Sequence, residues 1–219
     1  MSEAKEKLLQ IKDLRIHYVL HNSTVEAVNG VSFEIEKGET GAGKTTISLG
    51  VMRLLPDPPA RVIEGEVVFE GKDLLKIPES AMQGVRGNEI SMIFQDPMTT
   101  LNPIDTVGDQ ILEGVMLHES LTKPEAKERV YEILEMVGIP RERYNEYPHQ
   151  FSGGMKQRIV IAMALVCRPE LLIADEPTTA LDVTIQAQVL DMTDSLKRLA
   201  ILRARISPLV FADGYYQRR

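Results

Sequence analysis

Apolar and polar residues alternate along Leu8–Leu20 and again along Val25–Ile35, the period expected of strands with one buried face. Asn29-Gly30 and Lys37-Gly38 supply turn chemistry in the same stretch. Arg61–Glu70 (RVIEGEVVFE) continues the β pattern, and Gly71-Lys72 reads as a turn. Between these stretches Thr45–Leu55 reads as a helix that must stop before Pro56-Asp57-Pro58-Pro59, since proline lacks the N–H a helix interior needs. The opening third is therefore mixed α/β.

The pattern turns helical from Ile104 to Tyr147. Pro124 suits a first helical position, and Val130, Ile133, Leu134 and Val137 share one face ahead of Gly138 and Pro140. A helical subdomain over about 104–150 is expected. Ile90–Phe94 reads as an apolar strand, Gly153–Cys167 as a nearly all-apolar buried helix, and Glu170–Ala174 as a buried strand. Ile185, Val189, Met192, Leu196 and Leu199 form the apolar stripe of one more helix. There are no internal repeats.

Composition narrows the class. A chain of 219 residues fits one large domain, or one domain with a subdomain. Its 43% hydrophobic and 26% charged content is ordinary globular usage. No apolar run approaches the roughly 20 residues a bilayer-spanning helix needs. The opening MSEAKEKLLQ lacks the apolar stretch and small-residue cleavage site of a secretory leader, so a cytosolic location is expected. Cys167 is the single cysteine, which excludes an internal disulfide framework and reads as a buried thiol. The net charge, 25 − 32 = −7, offers no overall electrostatic attraction to nucleic acid or anionic lipid, so no nucleic-acid partner is expected.

Residues Gly38-Glu39-Thr40-Gly41-Ala42-Gly43-Lys44-Thr45 satisfy the pattern G-x-x-x-x-G-K-[ST]. Glycines in that pattern let backbone N–H groups converge on phosphate oxygens, and the helix that follows aims its N-terminus at them. Lys44 would then neutralise the β- and γ-phosphates, Thr45 would ligate Mg²⁺, and Thr46 would add a contact to the α-phosphate. A glycine-rich turn capping a helix gives the same letters. The pattern also asks for a buried strand leading into the loop, whereas Glu36-Lys37-Gly38-Glu39-Thr40 is polar.

Leu171-Leu172-Ile173-Ala174-Asp175-Glu176 is an apolar strand ending in two carboxylates, placed at the edge where α/β sheets bind ligands. Asp175 suits Mg²⁺ and its water shell, and Glu176 suits polarising a water that attacks the γ-phosphate; an acidic loop start is the alternative. In Phe151-Ser152-Gly153-Gly154-Met155-Lys156-Gln157-Arg158, a capping serine and two glycines expose amides at the start of an apolar helix. An ordinary serine cap reads the same way.

Together these residues resemble the ATP-binding-cassette family. Ser152-Gly153-Gly154 and Gln157 match its signature, Asp175-Glu176-Pro177-Thr178-Thr179-Ala180-Leu181-Asp182 its Walker B and D-loop, and Gln95 its Q-loop glutamine. Tyr18 falls where the family stacks an aromatic ring on adenine. Gln95-Asp96-Pro97-Met98-Thr99-Thr100-Leu101-Asn102-Pro103 and Tyr147-Pro148-His149-Gln150 look like the oligopeptide, dipeptide and nickel importers, and the resemblance spans about residues 8 to 199.

The resemblance implies a P-loop NTPase fold with an antiparallel β subdomain and an inserted helical subdomain. It implies ATP and Mg²⁺ as ligands. Gly41, Ala42, Gly43, Lys44, Thr45 and Thr46 would hold the nucleotide's phosphates, with Tyr18 on its base. Ser152, Gly153, Gly154 and Gln157 would contact nucleotide held by a second cassette. Thr45, Gln95 and Asp175 would hold the metal, while Glu176 and Gln95 would serve catalysis. Two cassettes, identical or not, would sandwich two ATP molecules at the cytoplasmic face of the membrane. They would be attached only through transmembrane permease subunits gripped by the helical subdomain and the region Gln95–Pro103. His149 is expected to pack locally, since no second histidine lies nearby.

Two departures set this sequence apart. The family carries a short hydrophobic strand and another glycine between a Gly-Glu turn like Gly38-Glu39 and the glycines before its lysine, and here that segment is missing. Gly38 then matches by accident, and a sheet strand is expected to be lost at a cost on the order of several kcal/mol in apolar burial. The family's switch histidine follows the helix after the D-loop, whereas no histidine lies beyond His149. Residues 1–199 are therefore expected to form the nucleotide-binding domain, truncated in the C-terminal part of its core, with 200–219 an atypical tail. Three readings stand: an importer ATPase subunit impaired in this form; a non-catalytic remnant or regulatory paralogue acting through protein contacts; and a soluble cassette ATPase of translation or DNA repair, which fits less well because no second cassette or coiled-coil insertion is visible.

Overall fold

The computed structural model describes residues 7–37, 40–43, 45–94, 100–175 and 200–204. The helix expected over Ile185–Leu199 lies outside them.

Strands β1 (Lys7–Leu20), β2 (Ser23–Glu36), β4 (Ala60–Phe69) and β5 (Lys72–Asp73) form an antiparallel sheet in the order β2-β1-β4-β5. Its alternating positions bury Leu9, Ile11, Val67 and Phe69 on one face, as the period-2 pattern predicts. Asn29-Gly30 does not end a strand. Gly30 sits inside β2 at φ 68°, level with a register break in β1 where Asp13 takes φ 44°, and the Asp13 N–H donates to Ser32 Oγ at 2.8 Å. On β4, Gly65 takes φ 116°, and a Cβ there would lie 2.6 Å from Leu14 Cα. Three neighbouring strands thus bulge together, which bends the sheet where glycine alone permits the approach.

The second sheet is parallel, in the order β3-β8-β7-β6, from β3 (Thr40–Gly43), β8 (Ala200–Ala204), β7 (Leu171–Asp175) and β6 (Ile90–Ile93). One expectation is corrected here. A strand does stand ahead of the helix at Thr45, built from Thr40-Gly41-Ala42-Gly43. Ala200–Ala204 lies between β3 and β7 and pairs with both. Ala200-Ile201-Leu202 is a continuous apolar run, as parallel strands commonly carry.

Helix α1 (Thr45–Val51) packs on the antiparallel sheet, and a Cβ at Gly50 would lie 2.8 Å from Ile16 Cδ1. It stops well before the prolines. Arg53 takes φ 51°, its N–H donates to the Gly50 carbonyl at 3.1 Å, and the Leu54 N–H donates to the Leu49 carbonyl at 2.8 Å. This paired left-handed stop satisfies carbonyls that a helix end leaves open. Helix α2 (Glu79–Val85) follows β5.

Helices α3 (Val107–His118), α4 (Lys123–Met136) and α5 (Gly153–Leu165) pack together. Their apolar faces meet in one core that also takes Ile93 of β6 and Leu172 of β7. Leu171 and Ile173 point the other way, into the core shared by α1, α2 and the antiparallel sheet. The strand's period of two residues lets β7 serve both cores at once. Cys167 is half-buried, its thiol 3.7 Å from the Gly114 carbonyl, and burial pushes its pKa up to about 11. Among the described residues no helix is long and apolar enough to cross a membrane.

Candidate functional site

The C-terminal edge of the parallel sheet is where ligand chemistry belongs in such folds. Register places Gly43 of β3 opposite Ala204 of β8, and Ala204 opposite Asp175 of β7. The end of the glycine motif and the first acid of the Asp-Glu pair therefore share one row across the sheet. At about 4.8 Å per strand, their backbones stand roughly 10 Å apart. Ala204 ends the strand between them. Lys44, Gln95 and Glu176 lie outside the described residues.

Gly41, Ala42 and Gly43 are expected in a loop and are found in a strand, paired in consecutive register with Leu202, Arg203 and Ala204. Helix α1 opens at Thr45 with Thr46 next, Thr45 exposed and Thr46 half-buried. A single residue thus separates strand from helix. A phosphate cradle needs consecutive amides turned toward one point, and an extended strand turns successive residues to opposite sides. Among the described residues, the extended Gly41–Gly43 backbone does not form that cradle.

Tyr18 is half-buried near the end of β1, opposite Val25 of β2 and Ala60 of β4. The neighbouring Val19 N–H donates to the Pro59 carbonyl at 2.7 Å, which fixes the backbone beside the ring.

The start of α5 is the other half of the candidate site, and its geometry follows the sequence closely. Ser152 takes extended backbone (φ −67°, ψ 162°) and its Oγ accepts from the Met155 N–H at 3.4 Å. Gly153 and Gly154 occupy the first two helical positions, exposed, with open space where a Cβ would stand. First-turn amides have no acceptor within their own helix, so this end presents donors and the positive end of the helix dipole to solvent. Gln157 lies one turn on, half-buried.

Arg143 braces this approach. Its guanidinium lies 4.1 Å over the Phe151 ring, donates to Glu146 Oε2 at 2.6 and 2.8 Å and to the Gln150 carbonyl at 3.1 Å, and has its Nη1 3.4 Å from Met155 Sδ. The Glu146 carboxylate holds the Arg143 pKa above its ordinary value. Sequence patterns did not single out Arg143; the signal available was its i,i+3 spacing to Glu146 beside an aromatic. His149 stacks on Tyr147 with ring centroids 5.9 Å apart. Arg158 Nη1 donates to the Val137 carbonyl at 3.3 Å and ties α5 to the end of α4.

The chain is similar to known proteins in sequence and in fold. The oligopeptide transport ATP-binding protein OppD of Bacillus subtilis (strain 168) is 53% identical over 201 residues, covering 88% of this chain and 56% of that protein. The dipeptide transport ATP-binding protein DppD of the same organism is 52% identical over 202 residues, 88% of this chain and 60% of that protein. The chain thus spans less than two-thirds of the length of these relatives. Among solved structures, the ATP-binding cassette MJ0796 in a post-hydrolysis state bound to ADP and Pi superposes with TM-score 0.75 at 23% identity, covering 90% of this chain and 88% of that one. The protein cbiO1 of Clostridium perfringens, part of the transporter complex cbiONQ, superposes with TM-score 0.72 at 25% identity, covering 92% and 79%. The fold is that of an ABC ATPase cassette. With the ABC transporter family profile matching residues 28–179, a stretch that runs from β2 through the capped α5 to the carboxylates after β7, the chain belongs to the ABC transporter family.

Proposed function

We propose that this chain is the ATP-binding subunit of an ABC importer for peptides, impaired in this form. It would work at the cytoplasmic face of the membrane, paired with a second cassette and held there by transmembrane permease subunits. The observation that carries the reading is identity at about half of all positions to peptide transport ATP-binding proteins over 88% of this chain. The names of those relatives favour peptides over nickel as cargo. The capped, open start of α5 supports the part of Ser152, Gly153, Gly154 and Gln157 in meeting a partner cassette. Gln95 and Glu176 keep the roles that the resemblance gives them, and Mg²⁺ would be the accompanying ion.

A second reading, a cassette remnant that acts through protein contacts without turnover, is favoured by one observation: Gly41–Gly43 lie in a strand. One experiment addresses both. The tagged chain is co-expressed with the transmembrane subunits and second cassette of a peptide importer, and membranes are sedimented. Recovery with the membranes only when the permease is present supports the subunit reading, and a chain that stays in the supernatant sinks it. Turnover in the recovered complex, lost on Glu176→Gln in this chain, separates a working subunit from a remnant.

A further inference from the structure

We infer that this chain cannot cradle a triphosphate in its own phosphate motif because the motif's glycines have been taken into the parallel sheet, and that a strand-forming segment restored ahead of Gly41 would release them. The inference rests on the family reading above and goes beyond it in naming the cause and the remedy.

Strand β8 lies inside the sheet, with β7 on one side and β3 on the other. Its β7 side is paired along the whole length, Leu171↔Ala200 through Asp175↔Ala204. Its other side is paired with Thr40 through Gly43. Without a strand there, β8 itself would be the open edge of the sheet, with a row of N–H and C=O groups ready to pair with any extended segment within reach. Among the described residues, the segment between β2 and α1 is the one that reaches this side. Lys37 ends the preceding strand in a turn, α1 starts at Thr45, and the pairing falls to Thr40-Gly41-Ala42-Gly43.

Glycine and alanine are poor strand formers, and glycine gives up more backbone freedom than any other residue when fixed. Their place in the ladder is therefore imposed by the open side of β8 and not by their own preference. The consequence for binding follows from geometry. With one residue between strand and helix, the amides of Gly41 to Gly43 run along an extended chain instead of converging. A segment with real strand propensity should take over the pairing and leave Gly41–Gly43 free to form the loop that the pattern specifies.

The test uses the whole purified chain, with its fold checked by circular dichroism and cooperative thermal unfolding. A fluorescent ATP analogue is titrated with Mg²⁺ into four proteins: the chain, its Lys44→Ala variant, a variant with Val-Ile-Val-Val-Gly inserted between Thr40 and Gly41, and that insertion combined with Lys44→Ala. The expected result is no saturable difference between the first two, saturable binding by the insertion variant, and a loss of about tenfold or more when Lys44 is removed from it, as for a charge-assisted contact to phosphate. A gain of binding cannot arise from misfolding. Saturable, Lys44-dependent binding by the unmodified chain would overturn the inference. So would a folded insertion variant that fails to bind, since the captured glycines would then not be the cause. In either case the subunit reading is decided separately by the membrane co-sedimentation, which does not depend on nucleotide binding by this chain.

Discussion

Gly108 lies flat against the ring of Tyr144: a Cβ at Gly108 would stand 2.2 Å from Tyr144 Cδ2. The contact locks the start of α3 to the 3₁₀ turn Arg141–Asn145. Tyr144 is buried, donates its hydroxyl to Asp109 Oδ1 at 3.0 Å, and stacks edge-on with Tyr131 at 5.4 Å. Burial and the Asp109 carboxylate raise the phenol's pKa and keep it protonated. Gly108→Ala forces backbone or ring to move and is expected to cost about 1–3 kcal/mol, as overpacking does. Tyr144→Phe removes only the hydrogen bond and is expected to cost about 1 kcal/mol. Urea unfolding measures both, and a Gly108→Ala midpoint equal to that of the unmodified chain would show that this contact is not made.

Ser152 closes the first turn of α5. Ser152→Ala removes the acceptor of the Met155 N–H and is expected to destabilise the fold by about 0.5–2 kcal/mol, whereas Ser152→Gly should cost only a few tenths of that scale. Thermal unfolding of the pair is the check. If glycine proved worse than alanine, the role of Ser152 as a cap would be wrong.

Arg143 is expected to matter for order more than for total stability. Arg143→Ala strips its contacts with four residues, Glu146, Gln150, Phe151 and Met155, while Arg143→Lys keeps the charge without the planar fork. Hydrogen exchange followed by mass spectrometry should show faster exchange across 147–155 in both variants, with exchange in the antiparallel sheet unchanged. Uniform acceleration everywhere would mean global destabilisation instead.

Glu170, just ahead of β7, shares a site with Glu70 and Lys37. Lys37 Nζ is 2.8 Å from Glu70 and 3.6 Å from Glu170. Burial and the neighbouring Glu70 raise the Glu170 pKa above its ordinary 4.5, while Lys37 lowers that of Glu70. Glu170 therefore favours the fold below pH 4.5 and loses that contribution as pH rises through its folded pKa; Glu70 favours it above 4.5 and loses it on acidification. Glu170→Gln keeps the shape of the protonated acid and cannot ionise. It is expected to raise the urea midpoint at pH 7 to 8, with the gain shrinking as pH falls through the raised folded pKa of Glu170 and gone below about 4.5. Parallel stability curves from acid to neutral pH would refute this account of the pair.

Much of this protein was legible in its sequence because the signals are local. Alternation fixed β1, β2 and β4, since a strand that buries one face must repeat every two residues. The face Val130, Ile133 and Leu134 and the serine before two glycines set α4 and the start of α5 for the same kind of reason. Ser152-Gly153-Gly154 and Asp175-Glu176, taken with the rest of the motifs, pointed to the family. Tertiary structure alone decided what had to satisfy a partner far along the chain. Asn29-Gly30 reads as a turn and is a bulge, because it must match Asp13 and Gly65 on neighbouring strands. Arg53 ends α1 before the prolines can, and its side chain reaches the Ile77 carbonyl at 2.8 Å. Above all, Thr40–Gly43 carries the letters of a loop but lies in a strand, because it pairs with Ile201–Ala204 far along the chain, and an open strand edge recruits backbone N–H and C=O groups whatever motif the side chains spell.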